Sequence, residues 1–80
     1  MSNRVDEREV IKMHIEFCMN DGGSVLYTME SNDVAGVLAA AKGDKVIFDK
    51  RIYKYNSHIL NHYVDNGLKK QELLIYLDEE

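Results

Sequence analysis

Proline and tryptophan are absent from this chain, cysteine occurs once, and glycine only five times. Each shortage excludes something. The absence of proline and the few glycines argue against a disordered chain, and no low-complexity tract is visible. A single thiol, Cys18, cannot close an internal disulfide, so a reducing compartment, the cytoplasm, is the expected location. No apolar run approaches the roughly 20 residues that a membrane span requires. Residues 1–9 are charged and lack the apolar stretch of a signal peptide. Acid and base are out of balance, with formal net charge −4, which opposes non-specific binding to nucleic acid or anionic lipid.

What is present is apolar supply. Hydrophobic residues make up 45% of the 80 positions, enough to expect one folded domain over 1–80 without staples, although chains of this size bury a small share of their surface. Charge is unevenly spread. Residues 42 to 54 hold Lys42, Lys45, Lys50, Arg51 and Lys54 against Asp44 and Asp49, net +3, which leaves −7 on the remainder.

The clearest periodicity lies in residues 50–65. At about 100° per residue, Ile52, Tyr53, Tyr55, Ile59, Leu60, Tyr63 and Val64 share one half of a helical wheel. Lys50, Arg51, Lys54, Ser57, His58, Asn61, His62 and Asp65 share the other, and only Asn56 is misplaced. Two-residue alternation fails over the same stretch. The pattern predicts a long amphipathic helix over about 44–66, capped by Asp44 and ended by Asn66-Gly67. An alternative for its first part is a short strand at Val46-Ile47-Phe48 followed by a turn at Asp49-Lys50.

The other segments complete a mainly α expectation, a small bundle of three to four helices. A first helix is expected over about Val5–Met19, with Ser2 or Asn3 as cap and Asn20-Asp21-Gly22-Gly23 as its end. Ser31-Asn32-Asp33 is a helix start for the small-residue run Val34–Ala41, and Gly43 in the left-handed conformation would close it. A minor β element would fit at 24–30, which is β-prone, or at 73–77, where Leu-Leu-Ile-Tyr-Leu serves equally well as a buried strand. The acids Asp78, Glu79 and Glu80 sit at the unfavourable pole of a helix dipole there.

Three functional expectations follow. The first helix and the last segment carry apolar residues around most of their circumference, more than one small core absorbs. Such a surplus marks an interface and predicts a homodimer joined through Ile11, Ile15, Cys18, Leu73, Leu74 and Leu77. The polar half of the long helix, Lys50, Arg51, Lys54, His58, Asn61 and His62, is then a basic face for an acidic surface on a partner protein. Together these describe a non-enzymatic regulator or inhibitor acting by protein–protein binding, a role in which compact acidic chains of this size, including phage-encoded ones, are common. The first alternative is a helix-turn-helix-like nucleic-acid-binding regulator built on the turn at Lys42-Gly43-Asp44 and the cations around it. The second is a zinc-stabilised domain, because His14/Cys18 and His58/His62 are each four residues apart and four N/S ligands suit tetrahedral zinc. No cofactor is otherwise expected. Enzymatic catalysis lacks a constellation: apolar neighbours would raise the Cys18 thiol pKa, and no glycine-rich phosphate loop or nucleophile elbow is present.

Overall fold

The computed structural model describes residues 12–80. They form a five-stranded sheet crossed by one helix, in the order β1 (Met13–Met19), β2 (Val25–Ser31), α1 (Val34–Gly43), β3 (Val46–Phe48), β4 (Arg51–Asp65) and β5 (Leu68–Glu79). Strands account for 64% of the described residues. A mainly α bundle is therefore excluded, and the helices expected over 44–66 and through 13–19 are strands. Lys12 lies just before β1 in no regular element, and residues 5–11 of the expected first helix lie outside the described residues.

The strand order is β2-β1-β5-β4-β3. The two ladders made by β1, antiparallel to β2 and parallel to β5, put β1 and β5 at the centre; β4 joins β5 and β3 antiparallel. Three tight reversals shape the sheet. Asn66 and Gly67 both have positive φ (54° and 78°) between Asp65 and Leu68, as a two-residue hairpin loop with right-handed strand twist requires. Asp49 and Lys50 do the same (53° and 70°) between β3 and β4. Gly22 and Gly23, at φ 89° and 74°, turn β1 into β2.

The helical wheel over 50–65 has a physical explanation in one residue. The β4–β5 register passes from Tyr55↔Leu77 to Ser57↔Tyr76, which leaves Asn56 as an unpaired bulge. A bulge shifts the alternation by one. Tyr53 and Tyr55 before it, and His58, Leu60, His62 and Val64 after it, therefore share the helix-covered face. Lys54, Ser57, Ile59, Asn61 and Tyr63 take the other. With apolar residues on both faces and the parity switched midway, period two disappears from the sequence.

The core is packed between α1 and the inner face of the sheet. Ile15 and Phe17 of β1, Leu73, Ile75 and Leu77 of β5, Tyr53 of β4 and Ala41 of α1 form one buried cluster. The helix contributes Val34, Val37, Leu38 and Ala41 to it, the i, i+3, i+4, i+7 stripe of an amphipathic helix. Its start is as the sequence suggests: the Asp33 carboxylate accepts a hydrogen bond from the Gly36 amide at 3.1 Å. A Cβ at Gly36 would lie 2.2 Å from that carboxylate, so glycine there leaves room for the cap. Gly43 is the last helical residue and does not adopt positive φ.

An aromatic cluster curls the sheet. Phe17 and Phe48 meet edge to face with centroids 5.2 Å apart, and Tyr27 stacks on Phe48 at 5.1 Å. Tyr27 belongs to one outer strand and Phe48 to the other, so the two edges meet at this end. At the opposite end β1 stops pairing at His14↔Glu72 while β4 and β5 continue to Asp65↔Leu68. That hairpin projects as a two-stranded arm, and the described residues extend over 51 × 26 × 19 Å.

Two stability measurements check this architecture. Ile75 is fully buried between the two central ladders, so Ile75→Ala should lower the unfolding free energy by about 2–5 kcal/mol in urea denaturation. Gly67→Ala meets no atom within 4 Å but places an L residue at φ 78°. It should cost about 1–2 kcal/mol through backbone strain alone.

Candidate functional site: the open face and the β4–β5 arm

The face of the sheet opposite α1 carries most of the reactive side chains. On β1 it presents His14, Glu16 and Cys18; on β5 Glu72, Leu74, Tyr76 and Asp78; on β4 Lys54, Ile59, Asn61 and Tyr63. His14 Nε2 lies 3.1 Å from Glu16 Oε2, and Asn61 Nδ2 donates to Glu72 Oε2 at 2.9 Å. His14 is in register with Glu72 on one side and Glu30 on the other. One imidazole nitrogen and two carboxylate oxygens, from His14, Glu16 and Glu72, come within 4.8 Å of one another. This trio offers three ligands of a kind that divalent cations accept, and Asn61 holds one of them in place.

The expected zinc tetrad is not assembled. In a helix, residues four apart stack on one side about one turn apart; in a strand they lie roughly 13 Å apart. His14 and Cys18 are so separated along β1, and His58 and His62 along β4. The two pairs also face opposite sides of the sheet, because His58 is in register with core residue Ile75. The periodicity had joined residues that the strand holds apart. His58 instead shares a 2.6 Å hydrogen bond with the Tyr55 hydroxyl through Nδ1.

Cys18 is buried. Burial pushes its thiol pKa up, and the negative charges of Glu16 and Glu72 push it further the same way. A nucleophilic cysteine needs the reverse. The group is held neutral in the fold.

The expected basic face is divided. Lys50 sits in the β3–β4 turn. Arg51 points to the helix side, where its guanidinium lies 3.7 Å from Glu79. Lys54 and Asn61 point to the open side, and His58 and His62 to the helix side. A helix would gather these residues on one flank; a bulged strand distributes them. The helix-turn-helix reading falls with it, since α1 is followed by β3 and β4 and is the one helix among the described residues. The other cations are also dispersed: Lys45 pairs with Glu80, Lys70 lies 3.5 Å from Asp65, and Lys42 stands over the Tyr55 ring at 5.8 Å.

Of the residues expected to join two copies, Ile15, Cys18, Leu73 and Leu77 are buried within this chain. Leu74 is half-buried on the open face, and Ile11 lies outside the described residues. The apolar surplus is elsewhere. Ile59, Leu60, Tyr63, Val64 and Leu68 are exposed, Val64 by 69%, and belong to the β4–β5 arm and its base; Val25, Tyr27, Ile47 and Ile52 are exposed on β2, β3 and the start of β4. β3 pairs only with Arg51, Ile52 and Tyr53, so the outer edge of β4 from Lys54 to Asp65 has no strand beside it among the described residues. Sequence reasoning missed this edge, although the dipeptide Asn66-Gly67 between two apolar stretches was a hairpin signal in plain view. Where β1 ends beside the arm, a cavity of about 760 Å³ opens, its lining including Lys12, His14, Tyr63, Lys69, Lys70 and Glu72.

Two measurements follow from Cys18. Iodoacetamide at pH 8 should leave the native thiol unmodified over a time in which urea-unfolded protein is fully alkylated; equal rates would contradict its burial. The raised pKa also fixes a sign: the thiol's contribution is complete below the ordinary thiol pKa and is lost as pH rises through the folded value. Urea midpoints should therefore fall as pH rises above the ordinary thiol range. No protein-family model, curated protein or solved structure matches this chain.

Proposed function

We propose that this protein is a small non-enzymatic regulator or inhibitor that acts by protein–protein contact, as a homodimer, and that the β4–β5 arm carries the contact surface. The observation that carries the reading is the edge of β4, which has no strand beside it among the described residues and is flanked by exposed Ile59, Leu60, Tyr63 and Val64. Soluble proteins normally blunt a strand edge of this length with charge, proline or a covering element. Here the edge runs from Lys54 to Asp65 with no lysine, arginine or carboxylate between them, only His58 and His62 as titratable bases, and no proline. An edge left in that state is a template for pairing, and apolar side chains beside it add area that is released from water on contact.

Charge supports the same reading in altered form. Lys69 and Lys70 lie on the arm and Lys12 across the adjoining cavity, whose lining also holds Glu30 and Glu72; three cations against two acids leave this region slightly positive in a chain whose net charge is −4. An acidic partner surface is the complement of that region, with charge adding association rate and specificity more than affinity. The buried, neutral Cys18 thiol supports a binding role over nucleophilic catalysis.

Affinity capture followed by mass spectrometry tests the proposal. The wild-type chain should retain a defined protein that is lost with Lys69→Glu/Lys70→Glu, while both versions give the same circular dichroism spectrum. Retention of the same proteins by the two versions would place the contact away from the arm and overturn the reading.

A further inference from the structure

We propose that the occupant of the β4 edge is the β4 of a second copy, paired antiparallel about a two-fold axis through Leu60. This rests on the homodimer reading above and specifies its register.

Three observations select that register. The first is length. The free edge starts at Lys54, because β3 pairing ends at Tyr53, and stops at Asp65, where the chain turns through Asn66-Gly67. Two such edges laid antiparallel and fully overlapped bring Lys54 of one copy opposite Asp65 of the other. Each arm tip then abuts the partner's short β3, which bounds the overlap at both ends.

The second is face. Residues directly opposite in an antiparallel pair point to the same side of the sheet. Among registers that obey this, the one centred on Leu60 opposes Ile59 with Asn61, His58 with His62 and Ser57 with Tyr63. Without the bulge, continuing outward would set Asn56 against Val64. Because Asn56 stands outside the ladder, Tyr55 meets Val64 and Lys54 meets Asp65, both with matching faces. The bulge that disguises the strand in the sequence is what reconciles full overlap with face parity.

The third is chemistry. Leu60 meets Leu60 on the axis, Tyr55 covers Val64, and Lys54 meets Asp65 twice, once on each side. These are cross-strand pairs of the favourable kinds, aromatic with β-branched and cation with anion. Asp65, which already lies 3.5 Å from Lys70 of its own chain, would accept Lys54 of the partner as a second cation. Leu60 and Val64, both exposed in the single chain, are covered without any change to the core. The two five-stranded sheets become one continuous sheet of ten strands, and the open faces with their His14–Glu16–Glu72 groups lie on the same side.

Single-cysteine crosslinking reads the register directly, because the native Cys18 is buried. Directly opposed antiparallel residues have Cα atoms about 4.5–5.5 Å apart, within the range a disulfide spans. Leu60→Cys should oxidise to a covalent dimer. Ser57→Cys alone should not, since the partner's own position 57 lies about 20 Å along the strand, whereas a mixture of Ser57→Cys and Tyr63→Cys should link one to the other. Light scattering should give twice 9.2 kDa at micromolar concentration. Lys54→Glu should weaken dimerisation by about tenfold through loss of two exposed pairs, and Lys54→Glu/Asp65→Lys should restore it. A monomeric mass would overturn both this register and the homodimer reading. A dimeric mass in which Leu60→Cys does not link, or Ser57→Cys links to itself, would overturn the register alone.

Discussion

The antiparallel ladder between β4 and β5 is the interaction on which the other parts of this protein depend. It is the longest pairing in the molecule, running from Tyr53↔Glu79 to Asp65↔Leu68, and it is closed by two residues that both tolerate positive φ. β5 then serves as the template for β1, whose parallel pairing requires a long crossover between them. That crossover supplies β2, α1 and β3. Each buried face follows: Leu73, Ile75 and Leu77 set which side of the sheet is apolar, Ile15 and Phe17 match Leu73 and Ile75 in register, and Tyr53, opposite Glu79, joins the same buried cluster.

A ladder longer than the core it supports has a consequence at its far end. β1 and α1 cover only the portion of the hairpin near the aromatic cluster, and the arm carries apolar side chains past the point where the domain can bury them. In a chain of 80 residues, where the core is small in any case, leaving Leu60 and Val64 in water is a cost that folding alone does not recover. The proposed contact with a second copy would cover them, and a matching copy is the partner always present at equal concentration. The geometry of β4 suits that copy because its polar ends are opposite in sign and its middle is uncharged apart from histidine.

The open face has a different character. His14, Glu16, Glu72 and Asn61 are tied into short polar contacts, and Cys18 lies buried close enough for both glutamates to oppose its ionisation. Polar groups on this side are held by neighbouring strands, whose spacing of about 4.8 Å brings side chains from β1, β4 and β5 into one cluster. Sequence distance is irrelevant to such a group: Glu16 and Glu72 meet through the parallel β1–β5 register, which no local pattern encodes.

Local chemistry was legible in the sequence wherever a few neighbouring residues decide the outcome. Ser31-Asn32-Asp33 announced α1, Asn20–Gly23 announced a break, a strand and turn at Val46-Ile47-Phe48 and Asp49-Lys50 stood as the alternative to the helix expected there, and the β tendency of 24–30 and 73–77 was real. The identity of residues 50–65 was not decided there. Bulged Asn56 shifts the side-chain parity, both faces carry apolar groups, and the resulting pattern coincides with a 3.6-residue period. Asn-Gly closes a hairpin as readily as it ends a helix. Backbone hydrogen bonds within a helix are local, whereas those of a strand need a partner supplied by distant chain. Only the tertiary structure, by laying Leu68–Glu79 against Arg51–Asp65 and β1 against both, could choose between the two, and with that choice it decided which residues are buried, which cations part company and which edge is left open.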